Sequence, residues 1–229
     1  MQVKLGPRTL ARLLFVELLE FARGPALVVS VVVSVSGLAW RLYRIFRRPL
    51  RADHSEPRRR DLAAGGVRAI FAKMLPPKGV KVRGAAMANA YAYHVGLALV
   101  VVGYAPHIAF IERYTGLAWP ALPDPVFYFA AAVTIVGLLV ALLARVTDPV
   151  LRLLSRFDDW FSWAVTMAPM LTGMAIIGAP AEPVPLAIHL LSLELLLVWL
   201  PFGKLAHAAL VFVSRWRTGA EFARKGAAV

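Results

Sequence analysis

From Gly84 to Ile111 the chain carries no charged side chain. A soluble helix keeps one polar face, so an uncharged run of this length belongs in lipid rather than in water. Four other runs are alike. They are GPALVVSVVVSVSGLAW (Gly24–Trp40, continuing to Tyr43), PVFYFAAAVTIVGLLVALLA (Pro125–Ala144), WFSWAVTMAPMLTGMAIIGA (Trp160–Ala179) and Pro183–Leu205, which encloses Glu194 and Lys204. A hydrocarbon core of ~30 Å takes about 20 helical residues. Membrane β-strands are shorter and alternate apolar with polar residues, which these runs do not. The expected fold is an all-α membrane protein, a single domain over 1–229 with five transmembrane helices at about 24–43, 84–111, 125–144, 160–179 and 183–205.

Lys and Arg then give a direction. Residues 41–83 hold thirteen bases against Asp53, Glu56 and Asp61. The third connection carries Arg145, Arg152 and Arg156, and the C-terminal stretch carries Arg215, Arg217, Arg224 and Lys225. The loop after the second run has only Arg113, and PAEPVPL after the fourth has no base. Bases concentrate on the cytoplasmic side. The basic loop (44–83), the third connection and the C-terminus are therefore expected inside the cytoplasmic (inner) membrane, with the N-terminus outside. The formal charge of +13 reads as topology and contact with anionic membrane lipids, not as a nucleic-acid surface. The basic loop also offers a place for a cytoplasmic partner to dock, and His54 within it reads as a solvated side chain.

The N-terminal RTLARLLFVELLEFAR has the outline of a signal peptide, but Glu17 and Glu20 interrupt its apolar part. Its Leu10, Leu13, Leu14, Val16, Leu18 and Phe21 spread around a helix, so 1–23 is expected to be an interfacial helix leading into the first span. The absence of cysteine excludes disulfides, thiolate zinc sites, Cys-held iron–sulfur clusters and haem attached through C-x-x-C-H.

Four of the five histidines fall in two spans: His94 and His107 in the second, His189 and His207 in the fifth. Ionisable residues are expensive in a bilayer and point to function. On a straight helix, His189 and His207 would lie ~27 Å apart and share one face, eighteen steps of about 100° making five whole circuits. His94 and His107 would lie ~20 Å apart on an antiparallel helix. Matching depths pair His94 with His207 on the inner side and His107 with His189 on the outer side. Two stacked bis-histidine sites suit two b-type haems, since neutral imidazole is an axial haem ligand and apolar helices supply a dry slot. Zinc would need three or four ligands at one depth. Gly96 and Gly103 could clear space for a flat ring or serve helix packing. On an ideal helix His107 points about 140° from His94, which leaves Pro106 to kink the helix and redirect it.

At these residues the chain resembles the gamma subunit of respiratory nitrate reductase, a five-span dihaem cytochrome b. YHVGLALVVVGY (Tyr93–Tyr104) is similar to the family's second-span stretch. IHLLSLELLLVWLPFGKLAH (Ile188–His207) is similar to its fifth, with two histidines eighteen apart and Pro-Phe-x-basic-x-x-His at the end. The resemblance implies that His94 and His207 ligate the inner haem and His189 the outer one. It also implies that quinol is oxidised near the outer haem, with electrons passing to an iron–sulfur subunit and then a catalytic subunit. Lys204 would meet a haem propionate. The family's second histidine in the second span falls here on Tyr104, so either His107, one turn on, is the outer ligand or Tyr104 is the alternative.

Glu194 has no counterpart in that pattern. It reads either as a proton acceptor for bound quinol or as a carboxyl hydrogen-bonded to Thr166 or Thr172. Arg113 reads as a propionate or quinone-carbonyl partner, or as a snorkelling arginine. The function expected is quinol-oxidising electron transfer within an oxidoreductase complex, without action on the final substrate alone. The same cytochrome could anchor a hydrogenase or a sulfur- or heterodisulfide-reductase-type complex. A haem-free ion or proton transport subunit is the competing class.

Overall fold

A computed structural model describes residues 6–47, 56–59, 61–72, 84–177 and 182–227, with side chains from Leu13 onward in the first helix. His54 and the bases of 48–55 and 73–83 lie outside the described residues. The elements are α1 (Pro7–Phe21), a π turn (Ala22–Ala26), α2 (Leu27–Arg47), α3 (Leu62–Ala72), α4 (Gly84–Gly103), α5 (Ala105–Thr115), α6 (Asp124–Thr147), α7 (Pro149–Leu154), α8 (Phe157–Ile177), α9 (Pro183–Trp199), a 3₁₀ turn (Lys204–Ala206) and α10 (His207–Arg224). No strand occurs among the described residues. Four helical stretches are long and apolar enough to cross a membrane, or five if the pair around Leu200–Gly203 counts as one span.

The chain divides into two compact units. One comprises Met1–Arg23 with Arg83–Leu193, the other Gly24–Val82 with Glu194–Val229.

The first unit is organised by α6. Phe127, Ala130, Ala131, Thr134, Gly137 and Leu138 are its buried positions, a stripe at steps of three and four. Phe129, Val136, Val140 and Leu143 point outward and are exposed. A helix apolar all round, with its smaller residues turned inward, is built for lipid on the outside and close packing within. The core adds Val100 from α4 and Met167 and Met170 from α8. A Cβ on Gly96 would run into the Thr134 side chain and lie 3.0 Å from the Ala130 carbonyl. Asn89 Nδ2 donates to the Gly137 carbonyl (2.9 Å) and Trp163 Nε1 to that of Leu138 (2.8 Å). Gly103 is filled by the Leu122 side chain. Both glycines are therefore packing positions, and the ring-clearance reading gives way to the packing one. Arg145 pairs with Asp159 (3.1 Å) and donates to Ser155 (2.7 Å), tying α6 to α8 across α7.

In the second unit the basic loop is not simply a loop. α3 lies antiparallel along α10, with Gly65 against Ala223 and Gly219 against Ala69. A Cβ on Gly66 would sit 2.5 Å from the Trp216 indole. Arg58 N–H donates to the Arg224 carbonyl (2.9 Å) beyond the helix ends.

Two spans depart from the straight helices expected of them. The second breaks at Tyr104, which is extended (φ −84°, ψ 127°), and Pro106 opens the first turn of α5. The helix is interrupted next to Pro106. The fifth span does not run to Leu205: α9 ends at Trp199, whose carbonyl takes the N–H of both Phe202 (2.9 Å) and Gly203 (3.0 Å). Pro201 supplies no N–H to continue the ladder. Helices Pro183–Trp199 and Lys204–Arg224 are bent by 82° at this break. His189 and His207 therefore do not share the face of one unbroken helix, as their eighteen-residue spacing had led us to expect.

The N-terminal helix leads without interruption into the first span. Helical structure runs from Pro7 through the π turn to Arg47, and Leu13–Arg47 forms one apolar stretch. Pro25 lies inside the π turn. Lacking an N–H and crowding the carbonyl four residues back, it is relieved by the wider turn.

Candidate functional site

The last carbonyls of any helix need partners from outside it. At the end of α4 these come from residues beyond the break. His107 Nδ1 meets the Val100 carbonyl (3.0 Å), Trp119 Nε1 donates to Val102 (2.6 Å) and Leu122 N–H to Gly103 (2.8 Å). The break therefore places His107: its ring folds back seven residues to cap α4. Tyr104 stacks on Phe127 (4.2 Å between ring centres, 12°) and presents an edge-on contact to His107 (5.2 Å, 86°).

His189 comes from the first part of α9 and meets α8. Its Nδ1 lies 3.2 Å from Thr172 Oγ1. The Thr172 hydroxyl donates to the Ala168 carbonyl (2.8 Å), so its oxygen accepts from His189 Nδ1–H. Ser192 Oγ lies 3.0 Å from Thr172 Oγ1 and donates to His189's own carbonyl (2.7 Å). A Cβ on Gly173 would be 3.1 Å from His189 Cε1, so glycine there leaves the ring its place.

These two histidines are brought together. Their ring centres are 6.2 Å apart and their planes differ by 7°. A metal–imidazole bond is ~2.0 Å; adding roughly 1.1 Å from nitrogen to ring centre, two imidazoles on opposite sides of one metal ion have centres about 6 Å apart. With each Nδ1 proton committed to an oxygen, each Nε2 keeps its lone pair. That is the arrangement in which outer partners orient metal-binding imidazoles. The ring separation of 6.2 Å matches the spacing of two imidazoles that share one metal ion.

The inner candidates follow the same tautomer logic. His94 Nδ1 contacts the Ala90 carbonyl (2.7 Å) and its ring stacks on Tyr93 (4.5 Å), and His207 Nδ1 contacts the Lys204 carbonyl (2.7 Å). Both are exposed, His94 in the first unit and His207 in the second. Lys204 opens the 3₁₀ turn before His207. Arg113 is exposed in the last turn of α5, where a cation suits the helix dipole.

Glu194 is 5% exposed, and neither carboxyl oxygen has a hydrogen-bond partner among the described residues. The expected bond to Thr166 or Thr172 is absent: Thr166 donates to the Ser162 carbonyl (2.8 Å), and Thr172 donates to that of Ala168. Among the described residues no cluster of three or more His, Cys, Asp or Glu is placed to hold a metal ion. Sequence reasoning did not single out Ser192 or Gly173, and it assigned Thr172 to Glu194. Polar residues in apolar spans were the available signal, but their partners depend on how α8 meets α9.

A protein of Nitratidesulfovibrio vulgaris (Hildenborough), described only as “Protein”, is 31% identical over 217 residues, covering 93% of this chain and 91% of the relative. The chain belongs to that protein's family. The similarity runs over nearly the whole of both chains rather than one motif. No family model matches the chain, and no solved structure matches it.

Proposed function

We propose that this chain is the membrane cytochrome b subunit of a respiratory oxidoreductase complex, nitrate-reductase-like, exchanging electrons with the quinone pool through two b haems. The observation that carries the proposal is the near-parallel His107–His189 pair, 6.2 Å between ring centres, with both Nδ1 atoms engaged. His107 with His189, and His94 with His207, would each hold a haem, which would supply a one-electron carrier. The chain's own contribution is to hold the imidazoles as Nδ1–H tautomers, keep the site dry, and offer Lys204 and Arg113 to propionates. Tyr104, edge-on to His107, is the alternative outer ligand.

Quinol releases two protons with its two electrons. Glu194, a buried carboxyl with no partner to lose, suits the uptake of one of them. The basic side faces the cytoplasm, where an iron–sulfur subunit and a catalytic subunit would dock. The same cytochrome would equally serve a hydrogenase or a sulfur- or heterodisulfide-reductase-type complex.

The test is the reduced-minus-oxidised visible spectrum of purified protein. A b-type α band with two haems per chain is expected, His107→Ala or His189→Ala removing one and His94→Ala or His207→Ala the other. No α band sinks the proposal and favours a haem-free proton or ion transport subunit, for which Glu194 is the supporting residue. Tyr104→Phe should retain both haems. Glu194→Gln should retain both while slowing quinol oxidation.

A further inference from the structure

We infer that Thr172 is a positioning residue for His189 and sets the redox potential of the outer site. The inference rests on the dihaem reading above.

Three of the four membrane histidines place Nδ1 on a backbone carbonyl: His94 on Ala90, His107 on Val100 and His207 on Lys204. The ring of His189 also has a backbone carbonyl beside it, that of Pro169, but its Nδ1 meets a side chain as well, the Thr172 hydroxyl at 3.2 Å. That partner can be changed by a single substitution, as a backbone carbonyl cannot. The hydroxyl is itself fixed, donating to the Ala168 carbonyl at 2.8 Å and lying 3.0 Å from Ser192. Ser192, whose own proton goes to the His189 carbonyl at 2.7 Å, packs beside Thr172 between α8 and α9. Next to Thr172, Gly173 has no Cβ where one would lie 3.1 Å from His189 Cε1. Two consecutive residues of α8 thus define both the hydrogen bond and the space of the imidazole.

The chemistry comes from the direction of the bond. When Nδ1–H donates to oxygen, electron density moves toward Nε2 and the ring becomes a stronger base. A stronger axial base favours the oxidised metal and lowers the potential. Removing the acceptor weakens the base and raises it. Donation by Thr172 to Ala168 orients the oxygen's lone pairs toward His189, so the bonds reinforce one another.

The experiment is a potentiometric titration of the α band in Thr172→Val, which is isosteric but lacks the hydroxyl, and in Thr172→Ser, which keeps it. The ferric low-spin EPR signal, which reports the relative orientation of the two axial imidazole planes, is recorded alongside. The outer haem is identified as the one lost in His189→Ala. In Thr172→Val its midpoint should move positive while the inner midpoint stays, and its EPR signal should shift. Thr172→Ser should match the unmodified protein. Loss of the outer haem in the valine variant alone also supports positioning by the hydroxyl. Two bound haems with unmoved midpoints in Thr172→Val overturn the inference, as does a serine variant that behaves like the valine one. An unmodified protein without haem overturns the cytochrome reading, and this inference only through it.

Discussion

Gly96 shows how much a single missing side chain decides in the first unit. Its Cα faces Thr134 and the Ala130 carbonyl of α6, and a Cβ would collide with the first and press on the second. Overpacking of this kind costs about 1–3 kcal/mol. Gly96→Ala should lower thermal stability in detergent by that order. Thr134→Ala deletes the nearest obstructing atom and should recover part of the loss in the double variant, a coupling that a thermodynamic cycle reads directly. At this scale the sequence displayed residue types well. Glycine in an apolar helix announced close approach, and Thr172 and Glu194 announced polar business in lipid. It did not say who meets whom. Thr172 could as well have met Glu194, and only the way α9 lies against α8 gave it to His189.

At the scale of elements, prolines did more than hydropathy revealed. A window of apolar residues looks the same whether the helix through it is whole or broken. The breaks at Tyr104 and Leu200–Gly203 were signalled only by Pro106, and by Pro201 with Gly203. In an unbroken helix the Val100 carbonyl would bond the N–H of residue 104, and His107 would have nothing to cap. Pro106→Ala should therefore favour the straight helix, withdraw His107 and lower haem stoichiometry from two towards one, measured by haemochrome assay. A Pro106→Ala protein retaining two haems would show that the break does not depend on the proline.

The α3–α10 pairing belongs to the same scale. It rests on Gly65, Gly66 and Gly219, where Cα meets side chain with no Cβ between. Gly219→Leu should part the helices and speed amide hydrogen exchange across Leu62–Ala72 by at least tenfold. Unchanged exchange there would mean that the glycine contact is not what holds α3. The basic loop was read from its charges as topology, and its charges hid a helix whose apolar and small residues fit α10.

For the whole molecule, the distribution of bases makes one commitment. A fluorescent protein fused after Val229 should fold and fluoresce inside the cell, whereas alkaline phosphatase at that position should stay inactive. The reverse pattern would invert the topology and move the proposed partner to the other side.

The sequence by itself determined that this is a helical membrane chain, because lipid forbids unpaired backbone and demands long apolar helices. It also displayed where the bases cluster and the four histidines in or beside its apolar runs. The tertiary structure decided which of them meet. Backbone breaks at Tyr104 and Pro201 rotate everything after them, and pattern along a chain cannot fix a rotation set by carbonyls seeking partners and by glycine-sized contacts between helices. One consequence was lost to the sequence, the shared helix face of His189 and His207. One was gained, an imidazole pair at metal-bridging distance with a threonine behind it.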